Sequence, residues 1–97
     1  MTRTKILLVD DNNDDIFLTR KALESKNCEV VSATSVTEAL KQIAAQRFDV
    51  LITDLHMPEP GDGFAVVTAM RHSQPDVLNL VCSSYPDLQK SVLHENL

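Results

Sequence analysis

The sequence predicts an α/β fold built on a doubly wound parallel sheet. Four short segments rich in aliphatic and β-branched residues alternate with longer segments of helical character, and this spacing is typical of repeated βαβ units. The apolar runs at 6–9 and 50–52 are unbroken, as expected for strands whose two faces are both covered by helices. These two strands are therefore predicted to be central. The predicted strands are residues 5–9, 28–32, 49–53 and 77–82.

Helix signals fill the gaps between these strands. A first helix is predicted over about 14–25, with its inward stripe near Leu18, Ala22 and Leu23. The sequence SVTE at 35–38 is a capping box and predicts the start of a second helix. Two further helices are predicted to begin near DG at 62–63 and SYP at 84–86, where proline suits the first helical turn.

Composition limits the kind of partner this chain can have. Its 97 residues are enough for one domain with one core. The net charge of −5 argues against nucleic acid and against an anionic membrane surface as direct partners. The longest apolar run is too short to span a membrane, and the amino terminus lacks the apolar region of a signal peptide, so a cytoplasmic protein is predicted. Cys28 and Cys82 lack the CxxC spacing of a metal site and are predicted to be reduced and buried.

Acidic and hydroxyl side chains follow three of the predicted strands. Asp10 and Asp11 end the first strand, Asp54 ends the third, and Ser83 and Ser84 end the fourth. Ligands of open parallel sheets bind just beyond the carboxyl ends of the strands, so these side chains are predicted to converge there. Mg²⁺ prefers hard oxygen ligands and is usually held by one or two carboxylates together with a phosphate. A carboxylate can also attack phosphorus and form an aspartyl phosphate. The sequence therefore predicts a magnesium and phosphate site.

The acidic run continues into the first helix at Asp14 and Asp15. Negative charge is stabilising at the amino-terminal end of a helix, so these two residues are predicted to serve the helix rather than a metal ion. A calcium loop of the EF-hand type is excluded. Counted from Asp10, its sixth position would be Asp15 instead of glycine and its twelfth Lys21 instead of glutamate.

Four motifs occur in a fixed order along the chain. They are DD at 10–11 after a short strand, Asp54 followed by MP at 57–58, DGF at 62–64 leading into a helix, and VCSSYPD at 81–87. Together they resemble the receiver domain of two-component response regulators. The resemblance covers nearly the whole chain and is specific, because the motifs agree in type, order and spacing. It implies a flavodoxin-like α/β fold with strand order 2-1-3-4.

The resemblance also implies a role for each site residue. Asp54 would accept a phosphoryl group from a histidine kinase or phosphotransfer protein, which makes the domain a phosphoacceptor rather than an enzyme. Asp11 would ligate Mg²⁺ directly, and Asp10 would act mostly through bound water. Asp54 and the backbone carbonyl of His56 would complete the protein ligands. The hydroxyl of Ser83 would turn to bond the phosphoryl oxygen.

The sequence departs from the family pattern near its carboxyl-terminal end. The family carries a lysine after a fifth strand and then a fifth helix, and this chain ends first, so a single domain over 1–97, incomplete at its carboxyl terminus, is expected. Ser84 replaces the usual alanine, and the loop at 57–63 is one residue longer than usual. The edge of the fourth strand is then expected to be exposed, which predicts a homodimer through that edge or by exchange of terminal elements. A phosphorylation-incompetent interaction module and a fragment of a longer regulator are the alternative interpretations.

Overall fold

The computed structural model of the chain describes residues 3–54 and 62–82, which form a four-stranded parallel sheet and three helices. Numbered along the chain, the strands lie side by side in the order second, first, third and fourth, so the predicted fold class and strand order are confirmed. None of the helices described is long and apolar enough to cross a membrane. The elements are β1 Lys5–Val9, α1 Asn13–Glu24, β2 Glu29–Ala33, α2 Val36–Ala45, β3 Val50–Asp54, α3 Asp62–Ser73 and β4 Leu78–Cys82.

The register of the sheet aligns the carboxyl ends of the strands. Val9 of β1 pairs with Ala33 of β2 and with Thr53 of β3, and Asp54 of β3 pairs with Cys82 of β4. Each strand lies within one residue of its predicted position. The helix predicted from residue 84 onward lies outside the described residues. Because all four strands point the same way, the residues that follow them meet at one edge of the sheet.

The two faces of the sheet are packed unequally. Side chains alternate between the faces along each strand, so Leu7 and Leu51 point to one face and Leu8 to the other. The first face carries α2 and α3 and holds the larger apolar cluster, which includes Met70 of α3. The second face carries α1 and a smaller cluster around Ile16. The larger cluster comprises Leu7, Val9, Ala33, Ala39, Ile43, Phe48, Leu51, Val66, Val67, Met70, Val77 and Val81.

The orientation of α1 corrects the predicted inward stripe. Leu18 is 66% exposed and Ala22 is also exposed, whereas Ile16 is buried and Leu23 is half-buried. Ile16 and Leu23 are seven residues apart and lie over the sheet, so the true stripe runs between them. The half-buried Arg20 lies in this stripe, where its Nη2 donates a 2.7 Å hydrogen bond to a β2 carbonyl. A long basic side chain with an apolar stem can occupy such a position, which a purely apolar pattern does not reveal.

The amino-terminal end of the sheet is a site of paired charges. The carboxylate of Glu29 lies 3.7 Å from Lys5 Nζ and 3.9 Å from an Arg3 guanidinium nitrogen. The backbone N–H of Lys5 donates a 2.8 Å hydrogen bond to the carboxylate of Asp49. The Lys5 ammonium also lies 5.7 Å from the ring centroid of Phe48. Glu29 therefore has cations beside it, and Asp49 has a backbone donor.

Candidate functional site

Three aspartates meet at the carboxyl edge of the two central strands. Asp10 follows β1 directly, Asp11 is the next residue, and Asp54 is the last residue of β3. One carboxylate oxygen from each lies within 4.8 Å of the others. Asp11 is exposed, whereas Asp10 and Asp54 are half-buried. Since β1 and β3 are hydrogen-bonded neighbours, the fold holds this cluster in place through the sheet itself.

A tight turn after β1 positions the first of these carboxylates. The backbone N–H of Asp10 donates to the carbonyl of Ala33, which extends the pairing of β1 with β2 by one residue. The Asp10 Oδ1 then accepts a 3.0 Å hydrogen bond from the backbone N–H of Asn12. An aspartate that bonds the backbone two residues on forms an Asx-turn, which reverses the chain locally. The turn directs the chain from the sheet into α1.

Asn12 caps α1, a role that the sequence prediction missed. Its side-chain oxygen accepts hydrogen bonds from the backbone N–H groups of Asp14 and Asp15, at 2.9 and 3.1 Å. Asparagine is among the preferred N-cap residues, so an Asn just ahead of the predicted helix was the available signal. Asp14 and Asp15 lie in the first turn of α1, which agrees with the helix role expected for them.

The charged form of Asp10 is disfavoured in this cluster. The pKa of Asp10 is raised from its ordinary value of 3.8 to about 6, first because burial disfavours the charged form. The Asn12 backbone N–H opposes this rise, whereas the charges of Asp54, Asp15 and Asp11 add to it. Among the described residues, no cation contributes to lowering this pKa. The neighbouring carboxylates thus add to the cost of burying an ionised Asp10.

The donor set fits a hard divalent cation. Three carboxylates from two strand ends offer oxygen ligands within a few ångströms, and Mg²⁺ is commonly held by one or two carboxylates. A bound cation would also offset the repulsion that raises the pKa of Asp10. In the part of the chain that is described, Asp10, Asp11 and Asp54 form the one cluster of potential ligands this close. His56 and Ser83, the other predicted site residues, lie outside the described residues, as does most of the loop at 57–63.

Fold and site together define a class of protein: an α/β domain with a carboxylate cluster at the carboxyl edge of its central strands. The Response regulator receiver domain family matches residues 6–94 of this chain, and the chain belongs to that family. The predicted resemblance is therefore confirmed.

Known proteins agree with this assignment. The chain is 34% identical over 84 residues to transcriptional regulatory protein PrrA of Mycobacterium tuberculosis, an alignment that covers 87% of this chain and 36% of PrrA. The structure of a CheY-like receiver domain protein from Methanospirillum hungatei JF-1 has a TM-score of 0.82 and 25% identity, covering 95% of this chain and 73% of that one. Response regulator TrrA of Thermotoga maritima, solved in complex with Mg(2+)-BeF, has a TM-score of 0.78 and 26% identity, covering 92% of this chain and 76% of TrrA.

Proposed function

We propose that Asp54 accepts a phosphoryl group from the phosphohistidine of a histidine kinase or phosphotransfer protein. The observation that carries this proposal is the meeting of three carboxylates from two strand ends within 4.8 Å. Asp54 is the member of the cluster at the end of β3, one strand away from the other two. In this arrangement Asp54 would be the reacting carboxylate, and Asp10 and Asp11 would help to bind the cation beside it.

The proposed transfer forms one bond to phosphorus and breaks another. A carboxylate oxygen of Asp54 bonds to phosphorus as the phosphorus–nitrogen bond of the donor breaks. The electron pair of the broken bond stays on the imidazole nitrogen, which takes up a proton from water. Asp54 is only half-buried, so part of it is exposed to solvent, where a donor could approach.

Mg²⁺ is the cofactor that this chemistry favours. When bound, it supplies positive charge beside the oxygens of the transferring phosphoryl group. Asp11, Asp10 and Asp54 would hold it, and the backbone carbonyl of His56 is the fourth proposed protein ligand. Ser83 is the proposed switch hydroxyl, which would bond the phosphoryl group and so bias the segment that follows β4 between two arrangements. The domain would then act through contacts with partner proteins in the cytoplasm.

Phosphorylation of Asp54 can be tested with a small phosphodonor. The protein is incubated with Mg²⁺ and acetyl phosphate, and intact-mass spectrometry measures addition of a phosphoryl group. Wild type is expected to gain the group, and Asp54→Asn is expected to gain none. Asp76→Asn is the matched control, because Asp76 is an exposed carboxylate just ahead of β4, at the opposite end of the sheet. Absence of added mass in wild type at saturating donor would favour an interaction module that does not use phosphoryl chemistry.

Self-association is the second property that we propose. If Asp54 is not phosphorylated, self-association would support the alternative interpretation of the domain as an interaction module. β4 is the last strand in the order of the described sheet, and Leu78 at its start is 44% exposed. Val50, Ile52 and Leu80 lie on the same face as Leu78 and are only half-buried. An apolar strand at the side of a sheet is a template for pairing with another copy. We therefore propose β4 as the contact of a homodimer.

Light scattering at micromolar concentration tests the dimer. Wild type is expected at the mass of two chains, and Leu78→Lys is expected to shift it toward one. Leu40→Lys serves as the control, because Leu40 is similarly exposed, at 42%, but lies on α2. A monodisperse monomer for wild type would contradict the homodimer, including one formed by exchange of terminal elements.

A further inference from the structure

Two buried polar atoms of the described chain lack hydrogen-bond partners. They are the hydroxyl oxygen of Thr53, which is fully buried, and the amide oxygen of Asn79, which is 2% exposed. Buried polar groups in native proteins nearly always have a partner, which is either protein or an ordered water molecule. Leaving either group unsatisfied would lower the folding equilibrium constant severalfold. Both groups therefore require an explanation.

These two residues are diagonal neighbours on one face of the sheet. Asn79 pairs with Leu51, and Thr53 pairs with Val81, so Thr53 and Asn79 sit on adjacent strands two residues apart in register. From the strand spacing and the rise per residue, their Cα atoms are about 8 Å apart. The side chains of Thr53 and Asn79 are too short to form a direct hydrogen bond easily across this Cα–Cα distance. A small molecule between them could bond to both.

The Asn79 amide uses its nitrogen and leaves its oxygen available. Its Nδ2 donates a 3.3 Å hydrogen bond to the carbonyl of Val77, just ahead of β4. The amide oxygen has no partner, and neither has the hydroxyl of Thr53, which pairs with Val81 two residues further along β4. One unpartnered acceptor and one unpartnered hydroxyl thus lie on the same buried face of two adjacent strands.

We propose that a single buried water molecule bridges Thr53 Oγ1 and Asn79 Oδ1. The amide oxygen can only accept, so the water donates one hydrogen to it. The hydroxyl of Thr53 either donates to the water or accepts its second hydrogen. Internal waters characteristically bond otherwise unsatisfied buried groups of this kind. Threonine and asparagine here form a hydration site inside the apolar cluster between the sheet and its two helices.

This water would lie close to the proposed phosphoacceptor but on the other face of the sheet. Thr53 directly precedes Asp54, and side chains alternate between faces. The water would therefore tie β3 to β4 at the end of the sheet where Asp54 pairs with Cys82. The inference rests on the register and on the two unpartnered atoms, so it holds whether or not Asp54 is phosphorylated.

A crystal structure of the wild-type protein at a resolution that shows ordered water is the direct test. We expect one water within about 3.2 Å of both Thr53 Oγ1 and Asn79 Oδ1. A direct hydrogen bond between the two side chains, or an empty region between them, would overturn the proposal. The same water should give a nuclear Overhauser contact to the Thr53 methyl group in solution.

A double-mutant cycle gives a second test based on stability. Thr53→Val and Asn79→Leu keep the shape of each side chain and remove its polar group. Each single change should lower the folding equilibrium constant about fivefold or more, because it leaves the other polar group and its water short of a partner. The double variant should be less destabilised than the product of the two single effects predicts, although Asn79→Leu also removes the hydrogen bond to the Val77 carbonyl. If the two single effects on the folding equilibrium constant simply multiply in the double variant, the two side chains do not share a water molecule and the proposal is wrong. Thr53→Ser keeps the hydroxyl and should retain the coupling to Asn79.

Discussion

The two ends of the sheet differ in what surrounds their carboxylates. At the amino-terminal end, Glu29 lies beside two basic side chains and Asp49 accepts a backbone N–H. At the carboxyl end, Asp10, Asp11 and Asp54 lie together, and the pKa of Asp10 is raised by burial and by its acidic neighbours. The same strands carry both arrangements. Cations therefore stabilise the charge of Glu29, whereas burial and neighbouring carboxylates disfavour the charge of Asp10.

This difference shows where binding is expected. Carboxylates this close together disfavour one another's charged form. Parallel strands nevertheless bring the three of them to one edge, and the Asx-turn at Asp10 positions the first of them there. Clustered titratable groups with perturbed pKa values are characteristic of functional sites. We therefore expect a ligand to bind at the carboxyl edge of the sheet.

The largest contrast should appear in Mg²⁺ affinity. Asp11→Asn removes a carboxylate of the cluster and is expected to weaken Mg²⁺ binding by at least about tenfold, measured by calorimetric titration. Glu29→Gln removes a carboxylate at the paired end and should leave the affinity within about twofold of wild type. Equal losses in the two variants would show that Mg²⁺ responds to net charge and does not bind at the cluster.

A smaller contrast should appear in the pH dependence of stability, measured without Mg²⁺. The folded protein binds the Asp10 proton more tightly than the unfolded chain does, since the pKa of Asp10 rises from 3.8 to about 6. This contribution to the free energy of unfolding is complete below about pH 4 and is lost as the pH rises through 6. Relative to Asp10→Asn, wild type should therefore lose about 1 kcal/mol between pH 4 and pH 7, after allowance for solvent screening.

Urea unfolding of wild type and Asp10→Asn at the two pH values provides this comparison. Carboxylates remote from Asp10 titrate in both proteins and cancel in the difference between them. A difference that stays constant from pH 4 to pH 7 would mean that the site does not perturb Asp10.

The smallest effect should come from the paired end. Glu29→Gln weakens two ion pairs whose partners are partly exposed, and such pairs contribute little. The expected loss is below about 1 kcal/mol in urea unfolding at neutral pH. A loss well above this would show that the amino-terminal charges matter more to the fold than their geometry indicates.

The sequence predicted the strands and the meeting of the aspartates better than the local details. Unbroken apolar runs at 6–9 and 50–52 mark buried parallel strands, and parallel strands bring the residues after them to one edge. The strand order followed from family resemblance, because periodicity does not specify which strands pair. The helix cap at Asn12 was missed, since several residues in that polar run can serve as caps.

Burial was the other property that the sequence left open. Leu18 was predicted to face the sheet and is exposed, because Arg20 occupies the stripe with its apolar stem. Cys28 was predicted to be buried and is half-buried. Thr53 and Asn79 are polar residues in strands, and only the register shows that they share a buried face. These features depend on packing across elements, which a linear pattern does not record.

A Mg²⁺ titration followed residue by residue tests the central claim most directly. Amide chemical shifts of the ¹⁵N-labelled protein are recorded as Mg²⁺ is added. The account predicts saturable shifts that are largest at residues 10–12 and 53–54 and negligible at Lys5, Glu29 and Asp49. Shifts that spread evenly over both ends of the sheet, or that leave Asp10, Asp11 and Asp54 unchanged, would contradict it.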